Sequence, residues 1–97
     1  MIKHVALFRI KEGTPPEAVQ AFSDALTDMV PKIDVIRTYE HGPDLGAAEG
    51  TYDYAVIAGF DSVEDYHTYS GHPVHVHVVE TYAKPIVGGS VRVQLEA

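Results

Sequence analysis

The 97 residues predict an α+β domain: a four-stranded antiparallel sheet with its helices packed on one face. Three observations carry that expectation. Several segments alternate apolar and polar residues with a period of two, as half-buried strands do. A segment between the first two of them instead repeats at helical spacing and begins with turn and proline residues. The order along the chain is strand, helix, strand, strand, helix pair, strand, with no internal repeat and no domain boundary, so residues 1–97 form one domain.

IKHVALFRI, residues 2–10, alternates so that Ile2, His4, Ala6, Phe8 and Ile10 share one face and Lys3, Val5, Leu7 and Arg9 the other. TPPE at 14–17 has the form of a capping box, with Thr14 as N-cap, Pro15 at the first helical position and Glu17 reaching back. The helix that follows carries Ala18, Val19, Phe22, Ala25, Leu26, Met29 and Val30 on one side and is expected to stop at Pro31. DVIRTYEH, 34–41, reads as the second strand, GPDLGAAEG as a loop, and TYDYAVIAGF, 51–60, as the third strand. Ser62 and Asp65 suggest a capped start for a short helix through Tyr66 and Tyr69. VRVQLE, 91–96, is the fourth strand, with Val91, Val93 and Leu95 on one side.

HPVHVHVVETY, 72–82, is the ambiguous stretch. Read as a strand, neither face is clean. Wound at about 100° per residue, Val74, His75, Val76, Val78, Val79, Tyr82, Ala83 and Ile86 gather on one arc, while His77, Glu80, Thr81 and Lys84 fall opposite. Pro73 suits a first helical position, and Pro85 with Gly88-Gly89 closes the segment. A helix over 74–86 therefore turns His75 inward and His77 outward. That separation prevents the two imidazoles from sharing one ion, and a zinc site would need three converging ligands, so no metal is expected.

This order is the ferredoxin-like split βαβ arrangement, whose helices cover only one sheet face. The other face still offers apolar residues, so two sheets are expected to pack against each other in a homodimer. The formal charge of −7 disfavours nucleic acid, and the absence of cysteine excludes disulfides and thiolate metal sites. No apolar run is long enough for a membrane span, and the early charges of MIKHVALFRIKEG are unlike a signal peptide, so a cytoplasmic protein is expected.

KHVALFRIKEG, DSVEDYHTYSGHPVHVHVVE and the VRV ending resemble the stress-responsive A/B barrel (Dabb) family of dimeric α+β barrels, over nearly the whole chain. The most specific piece is Y-x-x-H-P-x-H, here Tyr69, His72, Pro73 and His75. The resemblance implies a dimeric α/β barrel made of two sheets. It also implies kinship with an enzymatic branch, represented by olivetolic acid cyclase, that closes a linear polyketide by aldol condensation without a cofactor. On that likeness His75 matches the catalytic histidine, Tyr69 its partner tyrosine and His4 the histidine of the first strand. A further pocket histidine of that branch falls at Tyr54, so the polar lining differs.

An imidazole on the apolar side of a helix, facing a sheet lined by His4, Phe8, Ile36, Tyr54 and Val56, has the ingredients of a general base. In this reading His75 abstracts a proton, Tyr69 steadies the oxyanion, and His4 or Tyr54 orients a ketone. One hypothesis is a cofactor-independent cyclase or lyase acting on a small, polyketide-like carbonyl compound. The other is a non-catalytic stress-responsive or hydrophobic-ligand-binding dimer, in which His75 is structural; cofactor-free oxygenation rests on fold analogy alone. His72 is expected to be a cap, and His41, His67 and His77 solvated residues. A cavity beside His75 and Tyr69 discriminates the first hypothesis from the second.

Overall fold

A computed structural model describes residues 1–97. The elements are β1 (Ile2–Ile10), α1 (Pro16–Met29), β2 (Thr38–Pro43), β3 (Tyr54–Phe60), α2 (Val63–Gly71), α3 (Pro73–Val78) and β4 (Val87–Glu96). The sheet is antiparallel in the order β2-β3-β1-β4, the ferredoxin-like arrangement, and it is open: one chain does not close a barrel.

Strand alternation builds the core. His4 and Ala6 of β1 and Tyr54, Val56, Ala58 and Phe60 of β3 point to the helix side and are buried. Phe22, Leu26 and Met29, at helical spacing on α1, pack down on them. On the opposite sheet face Ile57, Val91, Val93 and Leu95 remain exposed, and no helix lies over them.

The chain departs from the sequence expectations at several junctions, each with a local cause. Thr14 is not the cap of α1: its hydroxyl donates to the Lys11 carbonyl at 2.6 Å, and Pro15 occupies the N-cap with no side-chain bond. Two consecutive prolines dictate this. Pro16 forces Pro15 into extended backbone (ψ 145°), so the helix cannot begin before Pro16. Pro31 does end α1, but through a 3₁₀ turn over Val30–Lys32.

The second strand begins later than expected, at Thr38. Residues 34–37 turn instead, held by Arg37, which donates to the Asp34 carbonyl and pairs with Asp61, both at 2.8 Å. The strand then runs to Pro43, tolerable because β2 is an edge with one unpaired side. The third strand loses Thr51–Asp53, where the Asp53 carboxylate accepts from the Ile10 amide at 2.8 Å. Ser62 caps α2 as expected, accepting from the Asp65 amide at 3.1 Å.

The segment after Pro73 coils. α3 passes into a π-helical turn over Val79–Ala83, with the Lys84 amide reaching the Val79 carbonyl at 2.9 Å. His77 is exposed and His75 half-buried, as the helical reading requires, although Val76 falls outside the buried arc at 44 % exposure. Gly88-Gly89 do not close the helix; they belong to β4, which starts at Val87 because Ile10 still pairs there across a register shift.

Candidate active site

The break between α2 and α3 fixes the site. His72 precedes a proline and is therefore extended (φ −64°, ψ 135°), interrupting what would otherwise be one helix. Its Nδ1 accepts from the Val74 amide at 3.1 Å, so His72 is the N-cap, as expected. In an unbroken helix that amide would have gone to the Ser70 carbonyl. Left without it, Ser70 takes its hydrogen bond from the side chain of His75, whose Nδ1 lies 2.9 Å away. A carbonyl only accepts, so Nδ1 carries the proton and Nε2 keeps its lone pair.

His75 lines a cavity of about 270 Å³ between the helices and the sheet. Phe8, Phe22, Leu26, Val56 and Val78 supply apolar wall, and His4, Tyr39 and Tyr69 add polar groups. The Tyr69 ring lies 4.3 Å from that of His75, and its hydroxyl is 3.0 Å from the Tyr39 hydroxyl. Burial pushes the Tyr69 phenol up to about 12 and Tyr39 higher still, so both are neutral donors. Burial also lowers the His75 pKa from 6.5; the Ser70 hydrogen bond opposes this, and the neighbouring His72 adds to it.

His4 is only 6 % exposed. Its ring lies 4.9 Å from that of Tyr66, tilted by 37°, and its Nδ1 accepts from the Gln94 side-chain amide at 2.9 Å. Burial, then the charge of Arg92, then His75 lower its pKa to about 4.

Of the residues singled out in the sequence, His75, Tyr69, His4, Phe8 and Val56 meet around this cavity, while Ile36 and Tyr54 do not. Ile36 sits in the turn before β2 and packs on the core. Tyr54 is 1 % exposed against Phe22, and its hydroxyl lies 2.7 Å from His41 Nδ1. His41 is thus no solvated residue: it is half-buried, with Nε2 3.0 Å from the Thr27 hydroxyl. Reading the second strand from 34 to 41 obscured this, since His41 lies mid-strand on the helix side, opposite Val56. Tyr39, Ser70 and Arg92 also line the cavity and were not singled out. The alternation of TYEH and SVRVQ was the available signal for Tyr39 and Arg92. Nowhere do three histidine, aspartate or glutamate side chains converge to hold a metal ion.

The lowered pKa of His4 makes stability depend on pH. Between 6.5 and about 4 the unfolded chain binds a proton at this residue that the folded chain does not, so the contribution is complete above pH 6.5 and shrinks as pH falls. The loss from His4 alone reaches about 3 kcal/mol. Urea midpoints measured at pH 7 and pH 4.5 are expected to diverge clearly for the wild type and less for His4→Gln. Equal pH dependence in the two proteins contradicts the assignment.

Comparison with known proteins places this architecture. The chain is 29 % identical over 77 residues to the stress-response A/B barrel domain-containing protein HS1 of Arabidopsis thaliana, covering 77 % of the chain and 71 % of that relative. A crystal structure of a dimeric ferredoxin-like protein of unknown function from Thermobifida fusca superposes with a TM-score of 0.91 at 33 % identity, over 99 % of this chain and 90 % of that one. The hydroxynitrile lyase of Passiflora edulis shares the fold, with a TM-score of 0.84 at 15 % identity over 97 % and 90 % of the two chains. The stress responsive A/B barrel domain pattern matches residues 2–96, and the chain belongs to that family.

Proposed function

We propose that the cavity is the active site of a cofactor-independent cyclase- or lyase-type enzyme that acts by general acid–base catalysis on a small carbonyl compound. The observation that carries this reading is the orientation of His75. Its Nδ1 proton is committed to Ser70, so Nε2 is the ring's basic atom, in a cavity large enough for a small ligand. His75 takes a proton from the carbon next to a ketone: the C–H bond breaks, its electron pair enters the C=C bond of an enolate, and the carbonyl oxygen becomes an oxyanion. Tyr69 steadies that oxygen. Tyr39 and Tyr69 share one hydrogen bond in which either hydroxyl can be the donor; with Tyr39 donating, the Tyr69 proton is left for the substrate. The enolate carbon then attacks a second carbonyl, expels a leaving group or takes the proton back. His4, neutral at pH 7, bounds the cavity and orients the ketone. The Passiflora lyase supports the reading only as far as the fold goes: this architecture accommodates lyase chemistry.

A non-catalytic reading has one observation in its favour. The His75–Ser70 hydrogen bond joins α2 to α3, which is a sufficient structural task for the side chain. The two readings part on turnover. Exchange of the α-protons of propiophenone in D2O, followed by NMR, is expected to be accelerated by the wild type and to fall about 100-fold or to background in His75→Ala. The wild-type rate is expected to drop as pH falls through a value below 6.5, because the protonated ring has no lone pair. Undiminished exchange in the variant makes His75 structural.

We also propose that the protein is a homodimer through the sheet face opposite the helices. Register places Val5 beside Val93, Leu7 beside Val91 and Lys3 beside Leu95. Ile57, Val91, Val93 and Leu95 are all at least 36 % exposed on that face. The Thermobifida relative is described as dimeric. Sedimentation at micromolar concentration is expected to give a dimer, shifted toward monomer by Val93→Glu; a wild-type monomer contradicts this.

A further inference from the structure

We infer that the cavity takes a carbonyl compound that also carries a carboxylate, a keto acid, with Arg92 as the residue that selects it. The inference rests on the reading of the cavity as an active site and adds the substrate class. Its starting point is an inversion of charge. The chain carries 14 Asp and Glu against seven Lys and Arg, yet no carboxylate lines the cavity, while Arg92 and Lys84 both do.

The two cations are not equivalent. Lys84 Nζ lies 2.7 Å from Glu80 Oε1, so its charge is already met. Arg92 takes part in none of the chain's three ion pairs and in no side-chain hydrogen bond. The groups on its own strand face are committed elsewhere: Gln94 to His4, and Glu96 to the N-terminal ammonium at 3.4 Å. Across the ladder its partners are Ala6 on β1 and nothing beyond, because β4 is the sheet edge.

Strand alternation explains why Arg92 faces the cavity. With Val91, Val93 and Leu95 on the outer face, Ser90, Arg92 and Gln94 fall on the helix side beside Phe8, Ala6 and His4. Arg92 acts on that side electrostatically as well, since its charge contributes to the lowered pKa of His4. A guanidinium without a carboxylate, at a cavity walled by Phe8, Phe22 and Val78, matches a ligand with an apolar body and an anionic end. The planar fork binds a carboxylate through two parallel N–H···O bonds, and a lysine would not reproduce that geometry.

The test uses a matched pair of probes, 4-oxo-4-phenylbutanoate and its neutral amide, with Kd measured by NMR titration and α-proton exchange measured in D2O. Wild type is expected to bind the carboxylate about 10-fold more tightly than the amide, a preference of about 1.4 kcal/mol. Arg92→Met should erase the preference by weakening the carboxylate while leaving the amide unchanged, and Arg92→Lys should restore it in part. Equal affinity for the two probes in the wild type, or an equal loss for both in Arg92→Met, overturns the inference. His75→Ala separates it from the reading beneath it. A carboxylate preference that depends on Arg92, with exchange indifferent to His75, upholds the anion site and sinks the base assignment. Exchange lost in His75→Ala, with no preference for the carboxylate, does the reverse.

Discussion

The peptide between His72 and Pro73 is the constraint on which the site depends. A proline there cannot accept the continuation of α2, and the residue before it cannot be helical, so the chain must bend between Gly71 and Pro73. Bending strands backbone groups that a continuous helix would have paired. Three side-chain and backbone bonds absorb them: the His72 amide to Tyr69, the Val74 amide to His72, and His75 to the Ser70 carbonyl. The last of these selects the imidazole tautomer. A basic Nε2 on a ring that lines the cavity is thus a consequence of satisfying a helix end, with no separate device needed to set the tautomer.

The sheet supplies the other half. Its alternation brings His4, Ala6 and Phe8 under the helices, while the edge strand β4 is reversed in polarity relative to a half-buried strand on a helix-covered sheet. Its apolar residues point away from the helices, and its polar residues, Ser90, Arg92 and Gln94, point toward them. That reversal makes sense if the helix side of β4 borders a ligand cavity and its outer side meets another sheet. Both proposals, cavity and dimer, therefore draw on the same strand. The π-helical turn over Val79–Ala83 contributes by widening the helix where it passes the cavity; Val79 and Ala83 both line it.

Much of this was legible in the sequence because periodicity reports burial directly. The coil after Pro73, the Ser62 cap and the inward turn of His75 all follow from spacing or turn chemistry within a few residues. Boundaries failed where a longer-range partner decided them. Thr14 looked like a cap, but the second proline moved the helix start; Gly88-Gly89 looked like a helix stop, but pairing with β1 drew them into β4. Ile36 was placed in the site as a sheet-lining residue, and Tyr54 both as a sheet-lining residue and through the resemblance, which puts a pocket histidine at that position. Alternation gives the face but not the position along the sheet, and Tyr54 lies toward His41 and Thr27, away from His75. The face of Arg92 could be read from the alternation of SVRVQ, but its significance could not: that depends on which charges fail to stand near it, a property of the folded ladder.

The most direct test of this account is the tautomer of His75. Long-range ¹H–¹⁵N correlation spectra of the labelled protein at pH 7 resolve the two ring nitrogens separately. The account predicts that Nδ1 is protonated and Nε2 resonates as a lone-pair nitrogen, as an imidazole held by the Ser70 carbonyl requires. A proton on Nε2 with a bare Nδ1, or a ring already cationic at that pH, would contradict it.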